Sequence, residues 1–223
     1  MSEESFVGAK TWMLVYADDD ARSALARTPA LDRERTLSFV GSLFPGETLK
    51  PLEDGTLLWT CPPDDELAAG CFPGVSVIAA KEFGIDRPSR LDRRYIQAGG
   101  RGTVTLHAMH SVVDWFALAR WSDGKLVRSL SLSPDSGIIE DLGEKLPFEQ
   151  AYWAGEHPAV DPESDDDEYP FPFHPLELGE AALDALFGYQ LEGALRPALF
   201  DPETVPLMRF TRSGARSRWK FWR

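Results

Sequence analysis

The arrangement with the most chemical potential in this sequence is a pair of histidines followed by a carboxylate. His107 and His110 are separated by two residues, and Asp114 follows shortly after them. Two imidazoles and a carboxylate can bind a transition metal, and an aspartate beside a histidine can orient a general base. These three residues are therefore the candidate catalytic residues of a hydrolase or a metal-dependent enzyme.

The same residues also have a structural interpretation. The stretch that begins at Thr103 is of β type, and residues three apart on a strand point to opposite faces. Convergence of His107 and His110 then requires the chain to turn at Met109. We favour the structural interpretation, in which both histidines cap strand ends and bond to the backbone.

A second set of polar residues lies downstream and has no recognised spacing. No calcium-loop pattern joins its carboxylates, and a loop rich in acids is usually just solvated. We predict neither a metal nor a cofactor. The set comprises Asp135, Glu140, Asp141, Glu144, Glu149 and His157.

Other residue types give weaker indications. Several tryptophans could line a ligand cleft, although packing in the core is their commoner use. The run Asp18 to Asp20 could hold magnesium, but no glycine-rich phosphate loop accompanies it, and we interpret it as a helix N-cap. The tryptophans are Trp12, Trp59, Trp115, Trp121 and Trp153.

Three β-type runs around one tight turn would position the histidines. They are separated by short breaks, the second of which is Asp123-Gly124, a typical two-residue hairpin turn. We predict a single α+β domain with a mostly antiparallel sheet built around this three-strand meander and with helices covering one face. The runs are Thr103 to His107, Val112 to Trp121 and Leu126 to Leu132.

Further elements follow from local patterns. Thr11 to Tyr16 is apolar on both faces and predicts an inner strand, and Asp32 and Pro175 each suit the start of a helix. We also predict short strands on either side of a turn at Glu53 to Gly55, a buried strand at Val75 to Ala80, irregular chain from Ile138 to Glu149, and an edge strand at Val205 to Phe210.

The predicted organisation is a flexible lead-in, one domain and an extension. The lead-in covers residues 1–8, the domain 9–193 with a mobile acidic loop at 161–168, and the extension 194–223. Basic and aromatic residues alternate in Arg212 to Arg223, and no carboxylate accompanies them. This tail is either flexible or docked on its own chain, or it contacts a partner, a membrane or a nucleic acid.

Composition narrows the class of protein. The chain of 223 residues is 43% hydrophobic and carries a formal charge of -13. Such a charge repels phosphate backbones and anionic lipid, so we expect neither nucleic acid nor membrane as a partner. The start of the sequence has no signal-peptide pattern, which favours a cytoplasmic protein with Cys61 and Cys71 reduced.

Six segments of the chain are considered together. They are GAKTWMLVY from Gly8, PLEDGTL from Pro51, GCFPG from Gly70, HAMHSVVDWF from His107, SLSPDSGIIED from Ser131 and HPLELG from His174. With these segments the chain resembles a family of uncharacterised actinobacterial proteins classed as a domain of unknown function. The resemblance covers about Gly8 to Gly193 and implies a single domain there. The family has no assigned activity, cofactor or catalytic residue, so the resemblance implies no function.

From the sequence we therefore expect a non-catalytic interaction or regulatory module that offers an acidic surface to a protein partner. The alternative is the enzyme that would use His107, His110 and Asp114. The sequence leaves the oligomeric state open.

Overall fold

A computed structural model describes residues 9–160, 169–192 and 198–214. The predictions for the lead-in, the acidic loop and most of the basic tail fall outside these residues. The strands are β1 Lys10–Ala17, β2 Glu47–Pro51, β3 Gly55–Thr56, β4 Glu66–Phe72, β5 Val75–Ala79, β6 Thr103–His110, β7 Trp115–Ser122, β8 Lys125–Ser133, β9 Gly137–Gly143 and β10 Pro206–Gly214. The α-helices are α1 Ala21–Leu25, α2 Arg33–Leu43, α3 Arg93–Gln97, α4 Glu149–Trp153 and α5 Pro175–Phe187.

Within the described residues, ten strands form one sheet in which neighbours are antiparallel. Its order is β2-β10-β4-β5-β1-β6-β7-β8-β9, and β3 pairs with β10 beside β2. The four strands from β6 to β9 are adjacent in both sequence and space. The predicted α+β class with a mostly antiparallel sheet is confirmed, and strands dominate it.

Strand β1 lies in the middle of the sheet and is buried on both faces. It pairs with β5 and β6. Met13 and Val15 belong to one hydrophobic core, whereas Trp12 and Leu14 belong to the other. An uninterrupted apolar run is what a strand needs when neither face meets water. The predicted inner strand is confirmed.

Helices cover both faces of the sheet, so the prediction that they cover one face is wrong. Leu178 and Phe187 of α5 pack in the core that contains Met13. Val40 and Leu43 of α2 pack in the core that contains Leu14. A sheet with two apolar faces needs a layer on each side, which the apolar run in β1 already implied.

The helix starts follow their capping residues as predicted. The carboxylates of Asp20 and Asp32 accept hydrogen bonds from Ser23 N at 3.1 Å and Arg35 N at 2.9 Å. Pro175 is the first residue of α5, and the helix ends at Gly188, whose φ of 84° closes the last turn.

The meander region differs from its prediction at two of its ends. Strand β6 continues to His110, whereas the predicted strand ended at His107, and the turn lies between His110 and Trp115. The chain therefore does not turn at Met109, as convergence of the two histidines would require. The stretch predicted to be irregular after Ser136 contains β9, which pairs with β8. The turn between β7 and β8 has φ values of 49° at Asp123 and 72° at Gly124, and Ser122 pairs with Lys125 around it.

Strand β10 is an inner strand, although an edge strand was predicted at Val205 to Phe210. It pairs with β4 on one side and with β2 and β3 on the other. The sheet therefore extends beyond Gly193, where the sequence predicted that the domain ends. Strands β2 and β3 flank the predicted turn, but each pairs with β10 and they form no hairpin with each other.

A buried ion pair joins β8 to α4. Arg128 and Glu149 are both 0% exposed. Arg128 donates from Nη2 to Glu149 Oε2 at 2.7 Å and from Nε to Oε1 at 2.9 Å. Arg128 Nη1 also contacts Asp141, and Leu146 N donates to Glu149 Oε1 at 2.9 Å. This bidentate pair fixes the helix on the sheet.

Removing one member of this pair should destabilise the protein strongly. We expect Glu149→Ala to lower the free energy of unfolding by about 3 kcal/mol, because the guanidinium of Arg128 stays buried and loses its main partner. Urea denaturation followed by tryptophan fluorescence would measure the loss.

The matched control is Asp54→Ala, which removes the partner of Arg33 on the surface. The side chains of that pair are 57% and 34% exposed, and ion pairs at the surface contribute little to stability because solvent screens them. Equal losses of unfolding free energy in the two variants would show that burial does not strengthen the contribution of the Arg128–Glu149 pair.

Candidate functional site

The three predicted catalytic residues lie in three different environments. His107 and His110 are both on β6 and three residues apart, so their side chains leave opposite faces of the sheet. Asp114 lies in the turn between β6 and β7, where its φ is 45°. No group of three or more metal-ligating side chains occurs among the residues that the structure describes.

His107 is a buried link between β6, β1 and α5. Its Nδ1 lies 2.7 Å from Thr11 Oγ1 and its Nε2 lies 3.0 Å from Gly179 O. A carbonyl oxygen only accepts, so Nε2 carries the proton and Nδ1 accepts from the threonine hydroxyl. Burial lowers the pKa of His107 to about 4. The ring is neutral at physiological pH, and both its nitrogens are engaged in packing the helix on the sheet.

Asp114 faces His174 rather than either predicted histidine. Asp114 Oδ2 lies 3.6 Å from His174 Nε2. His174 is the N-cap of α5, where its Nδ1 accepts from Leu176 N at 3.3 Å. Asp114 therefore contacts the start of α5 and sits apart from both His107 and His110.

The downstream carboxylates also disperse. Glu140 is buried and accepts from Ser89 N at 2.9 Å and Ser89 Oγ at 2.7 Å. Asp141 and Glu149 share Arg128. Glu144 is exposed, and His157 stacks on Tyr152 at a centroid distance of 4.2 Å. Asp135, in contrast, lines a cleft.

That cleft, which we call the Trp12 cleft, opens on the α2 side of the sheet and has a volume of about 350 Å³. Ligand pockets typically begin at roughly 300 Å³. Aromatic side chains and free carboxylates face each other around it. The lining residues that matter here are Trp12, Asp86, His110, Val113, Trp115 and Asp135.

The ends of several strands bring these residues together. Trp12 comes from β1, and His110 and Trp115 pair directly across the β6–β7 turn. Asp135 comes from the β8–β9 turn, and Asp86 follows the 3-10 helix at Lys81–Phe83. Gly84 packs against the indole, because a Cβ there would lie 2.7 Å from Trp12 Cε3.

Aromatic rings form the floor of the cleft. The ring centroid of Trp12 lies 5.5 Å from that of His110 and 6.0 Å from that of Trp115. Trp12 and Trp115 are only 5% and 7% exposed. Lys81 Nζ lies 4.6 Å from the centroid of Trp12. The floor is therefore closely packed and already carries one cation–π contact.

His110 presents a neutral ring to the cleft. Burial, aided by the charges of Lys10 and Lys81, lowers its pKa. His110 Nδ1 accepts from Val112 N at 3.2 Å, so the proton of the neutral ring lies on Nε2. The ring thereby offers one hydrogen-bond donor.

Unpaired acids and apolar side chains form the rim. Asp86 and Asp135 are exposed and make no ion pair with any residue that the structure describes. Val113 and Ile139 also line the cleft, and Val113 is 49% exposed. The cleft thus combines an aromatic floor with negative charge and apolar surface at its mouth.

A smaller cavity of about 110 Å³ lies at the other end of β1. Tyr16, Arg35 and Phe39 line it. The hydroxyl of Tyr16 is buried without a hydrogen-bond partner in the described chain, and burial raises its pKa. The volume suits a few water molecules rather than a ligand.

A family model with the description "Family of unknown function (DUF6928)" matches residues 11–210. The chain belongs to this family. The match includes the first five residues of β10, from Pro206 to Phe210, in agreement with the position of that strand inside the sheet. No curated protein and no solved structure matches the chain, and no function is assigned to the family. The actinobacterial origin that the resemblance implied stays a prediction.

Membrane insertion through a helix finds no support in the described part of the chain. None of the helices there is both long and apolar enough to cross a bilayer.

Sequence reasoning found parts of the Trp12 cleft without recognising it as one site. Trp12 and Trp115 were among the tryptophans considered for a cleft, and His110 and Asp135 were in two separate sets of candidate residues. Asp86 was not singled out. The local signal for the site is weak because its residues come from four distant segments.

The buried His107 should make stability depend on pH. Its folded-state pKa of about 4 lies below the ordinary value of 6.5. The neutral, buried ring contributes to the free energy of unfolding above pH 6.5. This contribution is lost as the pH falls from 6.5 through about 4, because the unfolded state binds the proton more readily. The full loss is about 3 kcal/mol. His107→Gln keeps a polar side chain but cannot titrate.

We therefore expect the unfolding free energy of the wild-type protein to fall more steeply than that of His107→Gln between pH 6.5 and pH 4. Denaturant titrations at a series of pH values would measure both slopes. Parallel curves would contradict a buried neutral histidine.

Proposed function

We propose that the protein is a non-catalytic binding module that receives a basic segment of a partner protein in the Trp12 cleft. One observation carries the proposal: the cleft combines the aromatic floor at Trp12 and Trp115 with two unpaired carboxylates, Asp86 and Asp135. The proposal includes a cytoplasmic location, which the two free cysteines support.

The chemistry of the cleft fits a cationic side chain with a flat or apolar stem. A guanidinium can stack on an aromatic ring while its donors reach carboxylates at the rim. The net charge of -13 attracts such a group over a distance and repels anions. Arginine fits best, because its planar group satisfies both requirements.

The apolar rim favours a polypeptide over a small cation. Val113 exposes about half of its surface at the cleft, and Ile139 lines the cleft as well. Such apolar side chains on the border of a polar site favour contact with apolar residues of a partner. A peptide with basic and aromatic residues would use the floor, the carboxylates and the rim together.

The alternative function, a hydrolase or metal-dependent enzyme, needs His107, His110 and Asp114 at one site. The positions of these residues favour the binding module. His107 uses both nitrogens to hold α5, and Asp114 faces His174. Of these three residues, only His110 is among those that line the Trp12 cleft. His107 and Asp114 lie elsewhere and cannot act together with it there.

A peptide-binding measurement tests the proposal. The probe is an eight-residue peptide of alternating arginine and tryptophan, and calorimetry with the full chain measures its affinity. We expect the double variant Asp86→Asn/Asp135→Asn to bind about tenfold more weakly, because two rim charges are lost. The difference should shrink as salt is added.

The control is Glu34→Gln/Asp123→Asn, which removes two exposed carboxylates away from the cleft. This variant should bind the peptide almost as well as the wild-type chain. If both double variants bound the peptide equally weakly, the loss of affinity would come from the overall charge and not from the carboxylates at the cleft. Absence of binding both to the wild-type chain and to a variant in which Arg216, Arg218, Lys220 and Arg223 are replaced by glutamine would refute the proposal.

A further inference from the structure

We infer that residues 215–223 of the same chain, ARSRWKFWR, dock in the Trp12 cleft and compete there with the partner. We call these residues the basic segment. The inference rests on the proposed function, because it assigns to the same cleft an internal occupant of the same chemistry.

Strand β10 delivers the basic segment to the end of the sheet that bears the cleft. Gly214 is its last residue and pairs with Glu47. Two residues earlier, Arg212 donates from Nη1 to Glu82 Oε2 at 2.8 Å and from Nε to Glu47 Oε2 at 2.7 Å. Glu82 belongs to the 3-10 helix that also supplies Lys81, whose ammonium lies on Trp12.

The predicted basic tail therefore starts inside the fold. Arg212 was assigned to the tail from the sequence, but its guanidinium stacks on Phe44 at 4.5 Å and its side chain is 8% exposed. This anchored residue fixes where the basic segment leaves the sheet and in which direction it can reach.

The distance to the cleft is shorter than the segment. From β10 to β1 there are three strand steps, by way of β4 and β5, which amount to about 14 Å. Two further steps to β7 bring the total to about 24 Å. Nine residues span roughly 30 Å when extended, so the segment can reach both Trp12 and Trp115.

The composition of the segment complements the cleft. Four cations occur without a carboxylate, in a chain whose net charge is -13, and three aromatic residues alternate with them. The cleft offers the opposite charges at Asp86 and Asp135, and its rim offers apolar surface at Val113. The cations are Arg216, Arg218, Lys220 and Arg223, and the aromatic residues are Trp219, Phe221 and Trp222.

Tethering makes this internal contact effective even when each interaction is weak. A short linker holds a segment at an effective concentration of about millimolar. A partner must then displace the segment, and its apparent affinity falls with the fraction of open clefts. The basic segment would thus set a threshold for partner binding.

Neutralising the segment tests the competition. The variant R216Q/R218Q/K220Q/R223Q should bind the arginine–tryptophan peptide about tenfold more tightly than the wild-type chain. The control R27Q/R93Q/R101Q/K125Q removes four exposed cations elsewhere and should change the affinity little. An equal gain in both variants would overturn the inference.

Disulfide trapping tests the contact without any partner. In a Cys61→Ser background, S136C at the cleft and S217C in the segment should crosslink within one chain. D123C with S217C serves as the control, because Asp123 lies in the turn at the opposite end of the sheet. Equal crosslinking, or crosslinked dimers only, would overturn the inference.

The outcomes separate this inference from the proposed function. If the peptide binds the wild-type chain and the neutralised variant equally and S136C traps nothing, the inference fails while the proposed function stands. If the peptide binds neither chain, the proposed function fails.

Discussion

The alternation of side chains along buried strands is the constraint on which the rest of this structure depends. In β1 and β6 both faces are covered, so successive residues enter different cores. Residues two apart share a core and neighbouring residues do not, so His107 lies on the α5 side and His110 on the α2 side. One histidine becomes a packing element and the other becomes part of a cleft. The geometry of the strand alone therefore gives His107 and His110 two independent roles.

Local signals in the sequence were sufficient for elements whose causes are local. Asp20 and Asp32 cap helices through bonds to backbone groups three residues away, and the turn at Asp123-Gly124 lies between two β-type runs. Such interactions are encoded within a few residues. The run of β1 predicted its double burial for the same reason, because hydrophobicity without alternation has few other uses in a strand.

Features that depend on distant pairing could not be predicted in this way. Strand β10 is internal because β2, β3 and β4 come to both its sides from more than a hundred residues earlier. Arg128 and Glu149 appear as two ordinary charged residues in the sequence, and only the packing of α4 buries them together. The Trp12 cleft has the same character. Its floor and rim come from separate segments, so no spacing of residues in the sequence indicates that the cleft exists.

The distribution of charge connects the fold to the proposed role. A strongly acidic protein gains solubility from its charge, and scattered basic residues would serve equally well to balance it. Here one set of cations follows directly after a strand that is fixed by Arg212 to Glu47 and Glu82. Individual ion pairs at a surface contribute little. Several such pairs can act together when one tethered segment carries all the cations, because the tether raises their local concentration at an aromatic cleft with free carboxylates.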